Sequence, residues 1–381
     1  MKCRSCNHIT TNILDFGNHY LAGKFFEFKS DALNANKYPL RLNICAACSL
    51  LQIEEVPDAV ELFNKNYSYA TGKIPGLVTH FEKYANWISK SFVNISSILE
   101  FGCNDGTFLQ LLQKKGFITQ GMDASENVVN SALNHGLDVK HGFFGTDSLI
   151  YHKAQFDLIT CSNVYAHAQK ITPLTAEAWR ILKENGIFLI EVHNAQKLLP
   201  DQFDSIYHEH SVYYDLNSIT NHLNQNGFNV IESLETDMHG AGLRIVAQKT
   251  SQPIFSMPDT SNISLQIFKA QQLKEKIISI QRFIEQKFVD RNVDIYGVAG
   301  KAQMFYHTTN LKDYVDRAFD DSDRRQGKFI VGSTQRISPY NEEIGDILLI
   351  TAWNYAADIV KKVGHNYREI YTLLPTIKKW K

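Results

Sequence analysis

Two Cys-x-x-Cys pairs near the N-terminus constrain the fold of this chain more than any other feature. Cys3 and Cys6 form the first pair, and Cys45 and Cys48 form the second. A two-residue spacer lets a tight turn direct both sulfurs to one point, so two pairs can complete a tetrahedral shell of four thiolates around Zn²⁺. A closed shell leaves no open coordination position, so the pairs predict a structural zinc site. The alternative is two unrelated pairs of core thiols. Redox chemistry fits poorly, because no βαβ pattern surrounds either pair.

The length and charge of the chain argue against several classes of protein. A chain of 381 residues is too long to fold around one compact core, so two or three domains are expected. The formal net charge of −1 argues against a dedicated nucleic-acid binder, which usually has a basic excess. No apolar run reaches the roughly 18 residues that span a bilayer, and residues 1–6 lack the apolar core of a signal peptide. We therefore expect a cytoplasmic protein without a membrane partner, in which the six cysteines stay reduced.

Strand and helix patterns alternate along the middle of the chain. A buried strand at Ser97–Phe101 ends in a glycine turn and is followed by a helical pattern. Further strands are expected at Thr119–Asp123, Phe156–Cys161 and Gly186–Val192, with a late strand at Gly242–Gln248 at the end of the sheet. Strands that alternate with helices predict a parallel sheet with helices on both faces. The expected fold class is therefore α/β with a Rossmann-like core.

A long helical pattern separates this core from a last segment. Apolar residues recur at steps of three and four between residue 264 and about residue 290, namely Leu273, Ile277, Ile280, Ile284 and Phe288. Beyond the helix, Asp294–Lys301 has the pattern of a strand, a glycine turn and a helix, and Ile347–Thr351 is a further buried strand. We predict a zinc-binding module at residues 1–66, a central domain at 67–252, and a linker helix with a smaller α/β Rossmann-like domain at 253–381.

The segment from Glu100 to Gly106 has the pattern of a cofactor loop, because it ends a strand and opens a helix. It differs from the G-x-G-x-x-G loop that holds a pyrophosphate. Its acids would repel a pyrophosphate, but they suit a sulfonium cation and a ribose. An acid at the end of the next strand can accept hydrogen bonds from both ribose hydroxyls. The pattern therefore favours S-adenosylmethionine (SAM) over NAD and predicts a class I SAM methyltransferase core. The expected cofactor-binding residues are Glu100, Gly102, Asn104, Asp105, Gly106 and Asp123.

Two later segments fit the same site. Phe144 could flank the adenine, and Asn163 and Val164 follow the strand that ends at Cys161. Ligands of open α/β sheets bind at this carboxyl edge of the strands. Ordinary loop and core packing would explain either segment equally well.

The tetrad Tyr207-His208-Glu209-His210 is the most unusual short motif of the chain. In an extended segment, Tyr207 and Glu209 would share one face, and His208 and His210 the other. Histidine titrates near neutrality, so either one could take a proton. Metal binding by the two histidines and Glu209, or a solvated polar loop, are alternatives. His167 is a further candidate, since it lies close to the expected cofactor edge.

Taken together, these motifs resemble the nucleotide-sugar C-methyltransferases of deoxysugar biosynthesis. The resemblance covers nearly the whole chain and depends on the order of its motifs. Besides the cysteine pairs, these motifs are Tyr67–Gly72 with His80, Glu100–Gly106, Asn163–His167, Tyr207–His210, His239–Arg244, Asp321-Ser322 ahead of Gln326–Lys328, and Ala352–Tyr355.

The resemblance implies a three-part protein whose outer parts hold a nucleotide-linked 4-keto sugar against the SAM of the central domain. It implies that His210 is the general base and that Glu209, Tyr207 and Tyr69 lie at the sugar. The chain departs from the family pattern in the glycine loop at residues 296–302 and in three segments expected to face the acceptor, which are 192–194, 211–214 and 239–244. These departures leave the cofactor prediction intact and the identity of the acceptor open.

The expected reaction is methyl transfer to a carbon next to a ketone. His210 would remove the proton, and Tyr207, His208 or His167 would donate to the enolate oxygen. One alternative is O- or N-methylation of a sugar or another small metabolite on the same scaffold. Another is a zinc-dependent binding protein with a vestigial cofactor site, against which the intact acids Asp105 and Asp123 argue. The expected partner is a small molecule and not a nucleic acid, and the sequence leaves the oligomeric state open.

Overall fold

Three large β-sheets and one two-stranded sheet organise the computed structural model, which describes residues 1–58, 62, 70–254 and 257–381. The first large sheet is antiparallel, in the order β1-β3-β4-β10. Its strands are β1 (Thr10–Tyr20), β3 (Lys37–Cys45), β4 (Leu51–Ile53) and β10 (Val212–Tyr213). The small sheet pairs β2 (Phe25–Phe26) with β15 (Phe329–Ile330), and helix α1 (Lys29–Leu33) follows β2. The cysteine segment is therefore joined to both later parts of the chain by strand pairing.

The central sheet confirms the predicted α/β fold class. Its order is β7-β6-β5-β8-β9-β12-β11, in which the first five strands are parallel and the last two alternate in direction. The strands are β5 (Ser97–Phe101), β6 (Ile118–Asp123), β7 (Val139–His141), β8 (Phe156–Ser162), β9 (Leu182–His193), β11 (Phe228–Thr236) and β12 (Gly242–Lys249). The late strand β12 was expected at the end of the sheet, but β11 takes that place. The sequence prediction missed β11, because in this edge strand Phe228 alone is fully buried, so it carries no apolar run.

Six helices pack on the central sheet or connect its strands within the described residues. They are α2 (Pro75–Ser91), α3 (Thr107–Gln113), α4 (Glu126–Asn134), α5 (Ile171–Ile181), α6 (Ala195–Leu198) and α7 (Leu216–Gln225). Helix α2 buries Leu77, Phe81, Tyr84 and Ile88, which recur at helical spacing on one face. That face packs against the sheet and fixes the start of α2 beside the carboxyl ends of the strands.

The predicted linker helix is present as α8 (Ile263–Phe288), and four of its five predicted apolar positions are buried. The third large sheet has the order β16-β14-β13-β17-β18-β19 and is parallel except for its last strand. Its elements are β13 (Val293–Tyr296), β14 (Val315–Phe319), β16 (Ile337–Ser338), β17 (Gly345–Ile350), β18 (Tyr367–Thr372) and β19 (Lys378–Lys379), with helices α9 (Gly300–Thr308) and α10 (Ala356–Val363).

One apolar core joins the two ends of the chain. It contains Leu42 of β3, Leu273 of α8 and Ile295 of β13. The linker helix is therefore a packed structural element that fixes the first sheet against the third. Among the described residues, no helix has the length and apolar character that crossing a membrane requires.

Candidate active site

The two cysteine pairs form matching turns. In each turn the first cysteine accepts a hydrogen bond at its carbonyl from the N–H four residues on, Asn7 to Cys3 at 3.0 Å and Ser49 to Cys45 at 2.9 Å. Asn7 and Ser49 both adopt the left-handed conformation, with φ of 62° and 61°. Both turns therefore have the same backbone fold and direct two sulfurs each toward a common centre.

The four sulfurs have the spacing of a tetrahedral zinc shell. The Sγ atom of Cys6 lies 3.5 Å from that of Cys45 and 3.5 Å from that of Cys48. The Sγ atoms of Cys3 and Cys48 are 3.6 Å apart. All four sulfurs lie within 4.8 Å of one another. A tetrahedron with Zn–S bonds of about 2.3 Å has edges of about 3.8 Å, whereas a disulfide would require about 2.05 Å. The donor set and its spacing therefore fit Zn²⁺, and the closed shell makes the site structural.

The cofactor loop follows β5 and opens α3 as predicted. Gly102 has φ of 68°, and its N–H donates to the Met122 carbonyl at 2.7 Å. An added Cβ at Gly102 would lie 2.1 Å from a methyl carbon of Val164, so only glycine fits there. The backbone of this loop therefore packs closely against Val164, just after the end of β8. Because Gly102 has no side chain, a ligand can approach the loop closely there.

Asp123 ends β6 and faces the cavity beside this loop. Its two carboxylate oxygens accept hydrogen bonds from the N–H groups of Asn104, at 2.9 Å, and Ser125, at 2.8 Å. Each oxygen retains a second lone pair, so the carboxylate can also accept from a pair of ribose hydroxyls. Burial raises the pKa of Asp123, and the two backbone donors oppose that shift.

The predicted cofactor residues fall into two groups. The structure brings Gly102, Asn104, Asp123, Phe144, Asn163 and Val164 to the cavity wall. Glu100, Asp105 and Gly106 lie behind it. The Asp105 carboxylate accepts hydrogen bonds from the N–H of Gly72, at 2.9 Å, and from the Thr107 hydroxyl, at 2.6 Å. It therefore anchors Gly72, which lies just before α2, to the start of α3.

Glu100 is buried behind the loop, and its Oε2 has no hydrogen-bond partner among the described residues. Burial, followed by the charges of Asp123 and Asp105, raises its pKa well above the usual range. A raised pKa favours the neutral form of this carboxyl group, so Glu100 adds little negative charge to attract a cationic ligand. Phe144 stacks on Phe101 with ring centres 4.2 Å apart, so one of its faces is already covered.

A cavity of about 2070 Å³ lies where the three parts of the chain meet. The N-terminal part contributes Gly23–Phe28, the central part the cofactor loop and the Tyr207 tetrad, and the C-terminal part residues 296–302 and 351–355. Pockets for one small ligand usually measure about 300–1,000 Å³, so this cavity has room for a cofactor and a second large molecule.

The Tyr207 tetrad forms a tight turn, so the face-sharing expected of an extended segment does not apply. The N–H of His210 donates to the Tyr207 carbonyl at 3.0 Å, which closes the turn. Tyr207, Glu209 and His210 therefore all line the cavity. His208 does not, because its Nε2 donates to the Pro39 carbonyl at 3.1 Å on the N-terminal sheet. The prediction that His208 donates to a reacting oxygen is wrong for this geometry.

His210 is held with one ring nitrogen fixed. Its Nδ1 lies 2.8 Å from the Ser205 carbonyl, and a carbonyl can only accept, so Nδ1 carries the proton. In the neutral ring, Nε2 then keeps its lone pair and can accept a proton. Burial lowers the pKa of His210 to about 4, while the Ser205 carbonyl opposes and the charge of Lys301 adds to the shift. The ring is therefore neutral at physiological pH.

Three histidines and a tyrosine meet at this point of the wall. The ring centre of His210 lies 4.9 Å from that of His167, 5.6 Å from His193 and 4.4 Å from Tyr207. We call these four residues the histidine corner. Burial, then the charge of His210, holds the pKa of His167 well below its usual range. Among the described residues, the four cysteines are the one group with metal-binding geometry, so the metal-binding alternative for the tetrad has no support.

Glu209 lies against the N-terminal part of the chain. A Cβ at Gly23 would lie 2.2 Å from Glu209 Oε1, and the Gly23 N–H donates to the carboxylate. Burial raises the pKa of Glu209 to about 7, and the charge of Lys24 and the Gly23 N–H oppose the shift. Sequence patterns gave no sign of Gly23, because the contact joins residues that are distant along the chain. Tyr69 lies outside the described residues.

His80 and Arg244, which belong to the resemblance motifs, form a buried ionic group with Glu191 behind the cavity. Glu191 accepts from His80 Nε2 at 2.9 Å and from Arg244 at 2.6 Å, and it links α2, β9 and β12. The Arg244 guanidinium also lies 3.5 Å from the centre of the Tyr84 ring. Because none of the three lines the cavity, the group stabilises the packing beneath the site.

Comparisons with known proteins agree with this geometry. Three family models match in order: a zinc binding domain at residues 3–63, a methyltransferase domain at 73–233 and a C-methyltransferase C-terminal domain at 264–371. The C-methyltransferase NovU of Streptomyces niveus is 24% identical over 94% of this chain and 91% of its own length. A ubiquinone biosynthesis O-methyltransferase of Coxiella burnetii is 27% identical over 23% of this chain and 40% of its own length.

Solved structures match less than half of the chain in the two cases that follow, at low similarity. A SAM-dependent methyltransferase from Clostridium acetobutylicum has a TM-score of 0.38 and 15% identity, over 45% of this chain and 92% of that one. A second, from Mesorhizobium loti, has a TM-score of 0.37 and 16% identity, over 44% of this chain and all of that one.

The chain is a SAM-dependent methyltransferase with a class I Rossmann-like core, and its cofactors are SAM and structural Zn²⁺. Within that class it has the three-part organisation of the C-methyltransferases and is a homologue of the Streptomyces enzyme. The alternative of a binding protein with a vestigial cofactor site is set aside.

Replacing Gly102 with alanine should weaken SAM binding about tenfold to a hundredfold. The new Cβ would meet Val164 at 2.1 Å, and the displacement of a packed side chain costs about 1–3 kcal/mol. Gly116→Ala is the matched control: Gly116 also has positive φ, 92°, but has no atom within 4 Å of an added Cβ. Calorimetry with SAM should separate the two variants, whereas equal affinities would show that the Gly102 loop does not contact the cofactor.

Proposed function

We propose that this enzyme transfers the methyl group of SAM to a carbon next to the ketone of a nucleotide-linked keto-deoxysugar. The observation that carries the proposal is His210, whose Nδ1 is fixed by the Ser205 carbonyl at 2.8 Å while its ring lines the cavity beside the cofactor edge. A carbon next to a ketone is not nucleophilic until it loses a proton. A neutral, oriented imidazole is the group that such a reaction requires.

The size and charge of the cavity support a nucleotide-linked acceptor. The C-terminal wall carries Arg324 and Lys328, and these cations suit a diphosphate. Arg325 on the same wall forms an ion pair with Asp320 at 2.8 Å. Glu209 and Tyr207 line the same cavity, and in this proposal they form hydrogen bonds with sugar hydroxyls.

In the proposed mechanism His210 Nε2 accepts the proton from the carbon next to the ketone, and the electron pair moves to the ketone oxygen. The Ser205 carbonyl holds the resulting imidazolium, because Nδ1–H keeps its hydrogen bond throughout. SAM supplies, when bound, the electrophilic methyl group for the carbon. The walls from all three parts of the chain position the acceptor and exclude water.

The matched family ranges support the predicted division of the chain. The three ranges, 3–63, 73–233 and 264–371, each fall inside one predicted domain: residues 1–66, 67–252 or 253–381. We propose these domain boundaries for the enzyme. We also propose a cytoplasmic location, because the thiolate ligands of zinc must stay reduced.

A comparison of two acceptor classes tests the proposal. We would incubate the enzyme and labelled SAM with nucleoside-diphosphate 4-keto-6-deoxyglucoses, in thymidine, uridine, cytidine and guanosine forms, and with the corresponding 4-hydroxy sugars. Label should enter ketones only, because a secondary alcohol offers no acidic carbon. Transfer to the 4-hydroxy sugars would support the O-methyltransferase alternative and contradict the proposal.

The pKa values of Glu209 and His210 predict which kinetic constant depends on pH. As pH falls through about 7, the Glu209 carboxylate takes a proton and loses a hydrogen-bond acceptor site for the sugar hydroxyls. The KM for the sugar substrate should therefore rise. The lowered pKa of His210, about 4, keeps the base neutral above pH 5, so kcat should stay nearly constant from pH 8 to pH 6. Initial rates at saturating SAM measure both constants.

The Glu209→Gln variant separates these two groups. It should remove the change in KM near pH 7 and leave the profile of kcat unaltered, because His210 keeps its surroundings. A kcat that falls with a midpoint near 6.5, the ordinary value for histidine, would show that the base is solvated or lies elsewhere.

A further inference from the structure

Lys301 brings a positive charge from the C-terminal part of the chain to the histidine corner. It follows Gly300 at the start of α9, lines the cavity, and its Nζ lies 5.4 Å from the centre of the Trp353 ring. Its charge contributes to the lowered pKa of His210, after burial.

The short Phe203–Ser205 turn interacts with the surroundings of both Lys301 and His210. Asp204 is buried, its Oδ2 accepts from Trp353 Nε1 at 2.8 Å, and its charge opposes the lowering of the Lys301 pKa that burial causes. The next residue, Ser205, holds His210 through its carbonyl. The Phe203–Ser205 turn packs on α9, where Phe203 and Phe305 have ring centres 6.0 Å apart. The turn that orients the base therefore also balances the lysine charge.

Proton removal next to a ketone creates a negative oxygen that needs a donor. His208 faces away from the cavity. Tyr207 and a neutral His167 can each donate only an uncharged hydrogen bond, and His210 must accept a proton with its free nitrogen. A fixed ammonium group at the same corner meets the requirement, since charged donors in a cavity stabilise a developing oxyanion strongly.

We propose that Lys301 is a catalytic residue, which donates a hydrogen bond to the enolate oxygen while His210 removes the proton. This inference rests on the proposed function. The C–H bond breaks, its proton goes to His210 Nε2, and its electron pair goes to the ketone oxygen that Lys301 contacts. The carbon then bonds to the methyl group as the methyl–sulfur bond breaks, which leaves S-adenosylhomocysteine and restores the ketone. The proton on His210 returns to solvent.

Exchange of the substrate proton into D₂O tests the role without methyl transfer. The holoenzyme would be saturated with S-adenosylhomocysteine and the same nucleoside-diphosphate 4-keto-6-deoxyglucoses, and exchange would be followed by proton NMR. Lys301→Met should slow exchange at saturation by at least about a hundredfold, the usual cost of one lost oxyanion donor. Lys301→Arg keeps the charge and should recover part of the rate.

Calorimetry of each variant with SAM and with the nucleoside diphosphates serves as the folding and binding control. Normal binding with slow exchange supports the role. If Lys301→Met weakens nucleoside-diphosphate binding but exchanges normally at saturation, Lys301 is a diphosphate ligand and the inference is overturned. If wild-type enzyme gives neither exchange nor methyl transfer with any of these ketones, the proposed function fails and the inference fails with it.

Discussion

Replacing His210 with asparagine should reduce turnover at least about a hundredfold and leave SAM affinity unchanged. Asparagine places its amide nitrogen near the position of Nδ1, so it can still donate to the Ser205 carbonyl that His210 contacts at 2.8 Å. It has no lone pair where Nε2 stood, so it cannot take the proton. The expected loss is the usual contribution of a general base. Steady-state rates and calorimetry with SAM measure the two quantities.

The other histidine of the tetrad is the matched control. His208→Gln keeps a donor near the position of Nε2 for the Pro39 carbonyl, at 3.1 Å in the native chain, and should change turnover only a few-fold. Equal losses in the two variants would mean that the turn as a whole is structural. A normal rate for His210→Asn would show that His210 is not the general base.

Replacing Cys48 with serine should release zinc and unfold the N-terminal part of the chain. The Cys48 sulfur lies 3.6 Å from that of Cys3 and 3.5 Å from that of Cys6, so it completes the shell. Zinc binding to such four-ligand sites contributes about 10–16 kcal/mol in small domains, which makes the metal part of the folded structure. Metal analysis should find one zinc per wild-type chain and none in the variant, with a lower melting temperature.

The loss should also reach the active site, because the zinc turn contacts the central part of the chain. Arg4, between two ligands, donates to the Ile53 carbonyl at 2.7 Å, and β4 pairs with β10, which begins two residues after His210. Cys161→Ser is the control, since Cys161 is buried in β8 and belongs to no cysteine group. A Cys48→Ser enzyme with full zinc and a normal melting temperature would contradict the structural assignment.

Features encoded by residues close along the chain were predictable from the sequence. The bounds of β5 match the prediction at both ends, because an apolar run stops at a glycine turn. The zinc site followed from two short spacers, each of which determines a local turn. The fold class followed from the alternation of strands and helices.

Features that depend on contacts between distant segments were not predictable. The two-residue strand β10 completes the N-terminal sheet from the central part of the chain, and its length gives no periodic signal. The tetrad turn placed Glu209 with His210 and turned His208 away, opposite to the extended geometry. The sequence pattern placed Lys301 only at the end of a strand, glycine turn and helix, because its position in the cavity depends on how α9 packs.

The product of a reaction with ¹³C-methyl SAM tests the central claim most directly. The substrate would be the best nucleoside-diphosphate 4-keto-6-deoxyglucose of the acceptor comparison, and the product would be examined by carbon and proton NMR. The account predicts a methyl carbon far upfield, bonded to the ring carbon next to the ketone, whose proton is gone. A methyl resonance shifted downfield by a bonded oxygen or nitrogen would contradict it.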